Sequence, residues 1–208
     1  MGAEEAQTER LIKEKAKILF FQKGFLNATT QEIADEAGVN RALIHYYFRS
    51  RELMLEILLD ETLQEKKDRA RAILTSKLPF RDKIAHYINA VVDYGIMYPY
   101  LDNFIISETA RHPDKVKLFC SKDKSKSSDL IREGLEQEIK KGKIPSISVE
   151  HFMVNLISLC NYPLLAKSVI QTIHGMTDTA YRKFLMERKR IIFRTIFHEE
   201  MPEQIMKD

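Results

Sequence analysis

Cysteine is scarce in this chain of 208 residues: Cys120 and Cys160 stand far apart with no CxxC spacing. That excludes a disulfide framework and a structural zinc site, and it predicts a reducing compartment, the cytoplasm, with both thiols buried and inert. Tryptophan is absent, and glycine (7) and proline (6) are few, which leaves little material for the tight turns of a sheet protein or for a phosphate-cradling loop. No apolar run approaches the about 18 residues of a membrane-spanning helix, so no membrane contact is expected. The opening stretch, Met1 to Arg10, is polar and acidic, unlike a basic-then-apolar leader. Charge of one sign is lacking too. Lys plus Arg (33) nearly balances Asp plus Glu (30), and a net +3 is too small to argue for a polyanionic partner by itself. GxSxG, GxGxxG, GxxxxGK and HExxH do not occur, so neither an enzyme nor a bound cofactor is expected. His112, His151, His174 and His198 show no ligand spacing, which predicts no metal.

What is present is helical periodicity rich in Leu, Ile, Glu, Lys and Arg, with apolar content of 44%, enough for a real core. From Thr8 to Lys23 the residues Ile12, Ala16, Leu19 and Phe20 form one stripe, and Gly24 stops the helix. Thr29 followed by Glu32 reads as a capping box, with Ile33, Ala34 and Ala37 on the buried side of a short helix that Gly38 ends. Asn40 caps a third helix whose inward positions are Ile44, Tyr47 and Phe48, and Ser50 caps a fourth that runs from Arg51 to about Leu74. Further helices are expected from Pro79 to Tyr98, Tyr100 to Arg111, about Asp114 to Lys141, Val149 to about Ile173, and Thr177 to about Glu199. The expectation is an all-α fold of about nine helices. It divides into a three-helix unit over residues 1–54 and a helical body over 55–208, with the fourth helix as connector.

Two short helices joined by a glycine turn and braced by a third form a helix-turn-helix, which projects one helix into the major groove of DNA. The local charge agrees. Between Ala37 and Arg51 there are three arginines, Arg41, Arg49 and Arg51, and no acid. A helix from Asn40 to Tyr47 presents Arg41, Ala42, His45 and Tyr46 outward. Arg41 has the fork that pairs with guanine O6 and N7 or clamps a phosphate, and the sequence leaves both open.

The stretch TTQEIADEAGVNRALIHYYFRSREL, Thr29 to Leu53, resembles the DNA-binding domain of TetR-family regulators, whose usual pattern is close to TTxxIAxxAGVSxGxxYxYFxxKExL. Thr29, Ile33, Ala34, Ala37, Gly38, Val39, Tyr47, Phe48, Glu52 and Leu53 carry the likeness. It implies a base contact from Gln31, a phosphate contact from Thr30, backbone contacts from His45, Tyr46 and Tyr47, and a phosphate contact from Arg51 at the family's lysine position. Departures at Asn40, Ala42, Leu43 and His45 bear on the operator sequence rather than on the fold. The resemblance further implies a cytoplasmic homodimer that represses transcription at a palindromic operator in double-stranded DNA and responds to an effector.

For the body, the same resemblance implies a ligand cavity walled by the helices between Ile84 and Phe119, and a dimer interface built from residues 149–166 and 177–198 of two copies. Tyr87, Tyr94, Tyr98, Phe104, Phe119, Phe152 and Tyr162 suit a pocket for a small apolar or amphipathic effector, and equally an ordinary core. Glu108 and Arg111 read either as ligand-orienting groups or as an i, i+3 ion pair. The strongly apolar helix beginning at Val149 fits an interface or a buried position within one subunit.

Overall fold

The computed structural model describes residues 2–111 and 124–206, which form eleven α-helices and one π-helical turn with no strand among them. In chain order they are α1 (Ala3–Lys17), continued by the π turn Ile18–Gln22, α2 (Thr30–Ala37), α3 (Arg41–Phe48), α4 (Arg51–Thr75), α5 (Phe80–Met97), α6 (Leu101–Arg111), α7 (Lys124–Lys140), α8 (Val149–Leu165), α9 (Lys167–His174), α10 (Asp178–Phe197) and α11 (Glu203–Met206). The first part of the helix expected from Asp114, with Phe119 and Cys120, lies outside the described residues.

The expected local signals operate at the start of the chain. Thr29 accepts from the Glu32 backbone N–H at 3.2 Å while the Glu32 carboxylate takes the Thr29 N–H at 2.7 Å. Each end thus satisfies a donor the helix would leave orphaned. The Thr29 backbone N–H, and after it the Thr29 hydroxyl donating to the same carboxylate at 2.8 Å, hold the Glu32 carboxyl below the usual carboxylate range. Gly38 closes α2 at φ 67°, a left-handed conformation that costs glycine nothing. Ile12, Ala16, Leu19 and Phe20 are all buried, as their stripe predicts.

Three features differ from the sequence reading. The first helix begins at Ala3, and its last turn widens to a π-helix in which Lys23 N–H reaches the Ile18 carbonyl at 2.8 Å. The wider turn brings both Phe20 and Phe21 fully into the core. Leu53, named for the family likeness, stands one residue before the place of the pattern's last leucine and is 47% exposed, whereas Met54 occupies that place and is buried in the first turn of α4. The helix expected from Val149 to Ile173 is two helices, α8 and α9, set at 70°. Pro163 lies in the last turn of α8 and has no N–H for the Leu159 carbonyl. Arg188 Nη2 reaches that carbonyl instead, at 3.4 Å, while the Tyr181 hydroxyl donates to the Pro163 carbonyl and fastens the bend to α10.

Two apolar cores result. The first gathers α1, α2, α3 and the N-terminal half of α4, and continues past residue 54 through Leu58, Leu59 and Leu63 to Tyr94 of α5 and Leu101 of α6. A division at residue 54 therefore falls inside packed side chains. The second core joins α5, α7, α8 and α10, and is sealed by Met201 and Ile205. There Asn89 Nδ2 donates to the Ile205 carbonyl at 2.6 Å, an anchor for α11 that periodicity gives no means to expect.

Candidate nucleic-acid interface

Helix α3 is fixed from behind and open in front. Ile44 and Phe48 are buried in the first core, where α3 packs on α2 and α4, and the Asn40 side chain caps the helix by accepting from Ala42 N–H at 2.8 Å. Along the other face Arg41, Ala42, His45 and Tyr46 are exposed, Tyr46 at 60%. The Tyr46 ring stands edge-on to Tyr47 at 5.0 Å between centroids, so the pair presents a stiff aromatic step at the end of the helix.

Beside this face lies a concavity of about 500 Å³ lined by Thr30, Asn40, Arg41, Ala42, Ile44, His45, Arg49 and Ser50. It contains two guanidiniums and an imidazole and no carboxylate. Arg41 Nε donates to Thr30 Oγ1 at 3.0 Å, which aims the guanidinium across the mouth of the concavity from α3 to α2. Gln31 next to it is tied to Asp35 at 2.8 Å. The structure thus brings Thr30, Asn40, Arg41, Ala42 and His45 together around one hollow, with Gln31, Tyr46 and Tyr47 beside it.

Arg51 is placed otherwise than the family pattern implies. Its Nε donates to the Ala28 carbonyl at 2.9 Å, its Nη2 to the Leu26 carbonyl, and its guanidinium lies 5.8 Å from the Phe20 ring centroid. With 21% of the side chain exposed, it staples the α1–α2 loop to the start of α4 instead of reaching outward. The residue that takes up the outward position is Arg49, which the site assignment from sequence passed over. It adopts φ 66° just after α3, an uncommon conformation for a residue with a Cβ. Its signal was the acid-free strip itself, which includes it.

The body residues divide in the same way. Phe104 and Glu108, with Arg111, line a cavity of about 940 Å³ between α4, α6 and the loop before α2. Tyr94, Phe152, Tyr87 and Tyr98 do not reach it. Tyr94 is buried in the first core with its hydroxyl donating to the Thr62 carbonyl at 2.9 Å, Phe152 packs on Phe80 at 6.0 Å, and Tyr98 stands edge-on to Tyr94 at 5.2 Å. Burial pushes the Tyr87 phenol up to about 12, the mark of a core position. Tyr162 points outward from α8. One wall of the cavity, α6, lies in the span expected from sequence; the other is α4, while the buried side chains of α5 pack in the second core with α8 and α10. No single described helix is long and apolar enough to cross a membrane.

Comparison with known proteins agrees with this geometry. Residues 12–58 match the family described as bacterial regulatory proteins, tetR family. The chain is 25% identical over 194 residues, 91% of its own length and 94% of the relative's, to Probable HTH-type transcriptional regulator YttP of Bacillus subtilis strain 168. It is 26% identical over 155 residues, 70% of this chain and 74% of the other, to Uncharacterized HTH-type transcriptional regulator YfiR of the same organism. Its fold is similar to that of the ketosteroid transcriptional regulator KstR2 of Mycobacterium tuberculosis, with a TM-score of 0.64 at 17% identity over 93% of this chain and 96% of that one. The helix-turn-helix is thus similar in sequence to bacterial regulatory proteins of the tetR family, and the chain as a whole shares the fold of a solved transcriptional regulator.

Proposed function

We propose that the protein is a ligand-responsive repressor that binds a near-palindromic operator as a homodimer, each subunit presenting α3 to one of two successive major grooves. The observation that carries this reading is the carboxylate-free hollow at α3, where Arg41, Arg49 and His45 converge beside Tyr46 and Tyr47. Arg41 reads a guanine or a phosphate, Arg49 holds a phosphate, and Thr30, Gln31 and the tyrosines complete the contact set, with Asn40 and Ala42 setting the entry of the helix. Arg51 contributes by shaping the domain.

The dimer reading draws support from α8 and α10. Val154, Ile157 and Tyr162 on the first and Met186 on the second are exposed apolar side chains on the two helices expected to pair. An isologous interface would cover them. Repression and effector response are proposed from the likeness to the tetR family, with which they fit. The test is titration of duplex fragments from the protein's own promoter region at several salt concentrations. The expected result is affinity that falls linearly on logarithmic axes as salt rises; no binding to any such fragment at low salt would sink the proposal.

A further inference from the structure

We propose that the cavity between α4 and α6 is a binding site for a small amphipathic cation. Its volume, about 940 Å³, falls in the range of ligand sites, and it sits where the DNA-binding helices meet the body, a preferred place for such sites. Two columns of α4 face it. Glu52, Glu56 and Asp60 recur at i, i+4 and i+8, a spacing that stacks like charges on one helix face. Leu53 and Ile57 form the second column and are 47% and 39% exposed. Opposite them α6 supplies the Phe104 ring.

Among the described residues, the α4 wall of the cavity carries the carboxylates of Glu52, Glu56 and Asp60 and the guanidinium of Arg51, and the α6 wall carries Glu108 and Arg111. Arg51 is already engaged by two carbonyls and by Glu52 at 3.3 Å, whereas Glu56 and Asp60 make no ion pair among the described residues. Lone carboxylates stacked beside exposed leucine and isoleucine favour a partner that brings both positive charge and apolar surface. An anionic or neutral occupant would leave the like-charge column uncompensated. An occupant held by α4 and Phe104 would also bear on the loop that Arg51 fixes, so its effect on DNA rests on the regulator reading above, while its binding does not.

The test uses two probes of nearly the same shape and opposite charge, tetraphenylphosphonium and tetraphenylborate, titrated calorimetrically into the full chain. The phosphonium is expected to bind at least tenfold more tightly than the borate. The double variant Glu56→Gln, Asp60→Asn, both exposed positions, is expected to lose about three- to tenfold of the phosphonium affinity while melting at the same temperature. Equal affinity for the two ions, no binding of the phosphonium, or unchanged affinity in the double variant would each overturn the site. Operator affinity is measured separately with the phosphonium present. A cation that binds without moving it leaves the site standing and refutes only the coupling.

Discussion

Replacing Arg51 by alanine separates two roles that predict opposite results. As a staple, the guanidinium satisfies the Leu26 and Ala28 carbonyls and covers the Phe20 ring. At a position with 21% of the side chain exposed, each hydrogen bond contributes about 1 kcal/mol after the loss of hydration. The cation–π contact adds about 0.5 to 1 kcal/mol. Truncation should therefore cost about 2.5 to 3 kcal/mol, a fall in melting temperature of about 5 to 12 °C for a chain of this size. The concentration must be held fixed, because the proposed dimerisation would shift the apparent stability. Arg51→Lys should recover only part of the loss, since one ammonium cannot span both carbonyls in the geometry of the planar fork. As a phosphate contact, by contrast, Arg51 would leave the melting temperature unchanged on removal and lower the salt slope of DNA binding by about 1 per subunit. Calorimetric melting together with salt-dependent titration of the variant decides the matter. Unchanged melting with a reduced salt slope would refute the staple.

The double variant Arg41→Ala, Arg49→Ala should weaken DNA binding at least tenfold and flatten its salt dependence, with melting unchanged; undiminished affinity in a gel-shift titration would remove both from the interface. Ile157→Lys should weaken the dimer roughly 100-fold in sedimentation equilibrium by setting a charge against an apolar interface twice over, and an intact dimer would place the interface elsewhere. Burial pushes the Cys160 thiol and the Tyr87 phenol each up to about 12, so both stay protonated in the fold at pH values where the unfolded chain has released them. The unfolded state then binds fewer protons, and stability should fall between about pH 9 and pH 12. In a Cys120→Ser background the remaining thiol should also resist a maleimide at pH 7.5 until the protein unfolds; rapid labelling of the native state would contradict the burial.

What was legible in the sequence was what neighbouring residues decide among themselves. The capping box of Thr29 and Glu32, the caps at Asn40 and Ser50, and the glycine at position 38 each act within one or two turns, so they could be read directly. The acid-free strip that contains Arg41 and Arg49 is local in the same sense. Less legible was anything that depends on what lies across the fold. Arg51 stands in register with a phosphate-contacting lysine, and only the nearness of the Leu26 and Ala28 carbonyls turns it inward. The apolar pattern from Val149 to Ile173 runs through Pro163 without a gap, and the bend is stabilised by Arg188 and Tyr181 from another helix. Tyr94 and Phe152 have the chemistry of pocket residues and are core residues because α5 and α8 close on them. The carboxylate column of α4 could have been found from its i, i+4 spacing, but the cavity it faces requires knowing that α6 lies opposite.

The π-helical turn explains why the DNA-binding helices are joined so closely to the body. In a regular helix the Phe21 carbonyl would take the N–H of Phe25, but that N–H bonds to Leu19 at 2.9 Å, and the freed Phe21 carbonyl accepts from Tyr100 N–H at 3.1 Å. Gly24 follows with φ 79°, and a Cβ there would stand 2.9 Å from the Tyr100 ring. Glycine is therefore required on both steric and conformational grounds. Lys13 to Glu61 at 2.7 Å and Lys17 to Glu65 at 2.9 Å tie α1 along α4. A flexible linker between the two parts would absorb a displacement of α6. A backbone hydrogen bond, a ring packed on a glycine and a shared apolar core cannot, because packed interfaces shift between discrete arrangements instead of stretching. Any force that parts α4 from α6 must then be carried to α1 through Tyr100, and through Arg51 to the loop that positions α2 and α3.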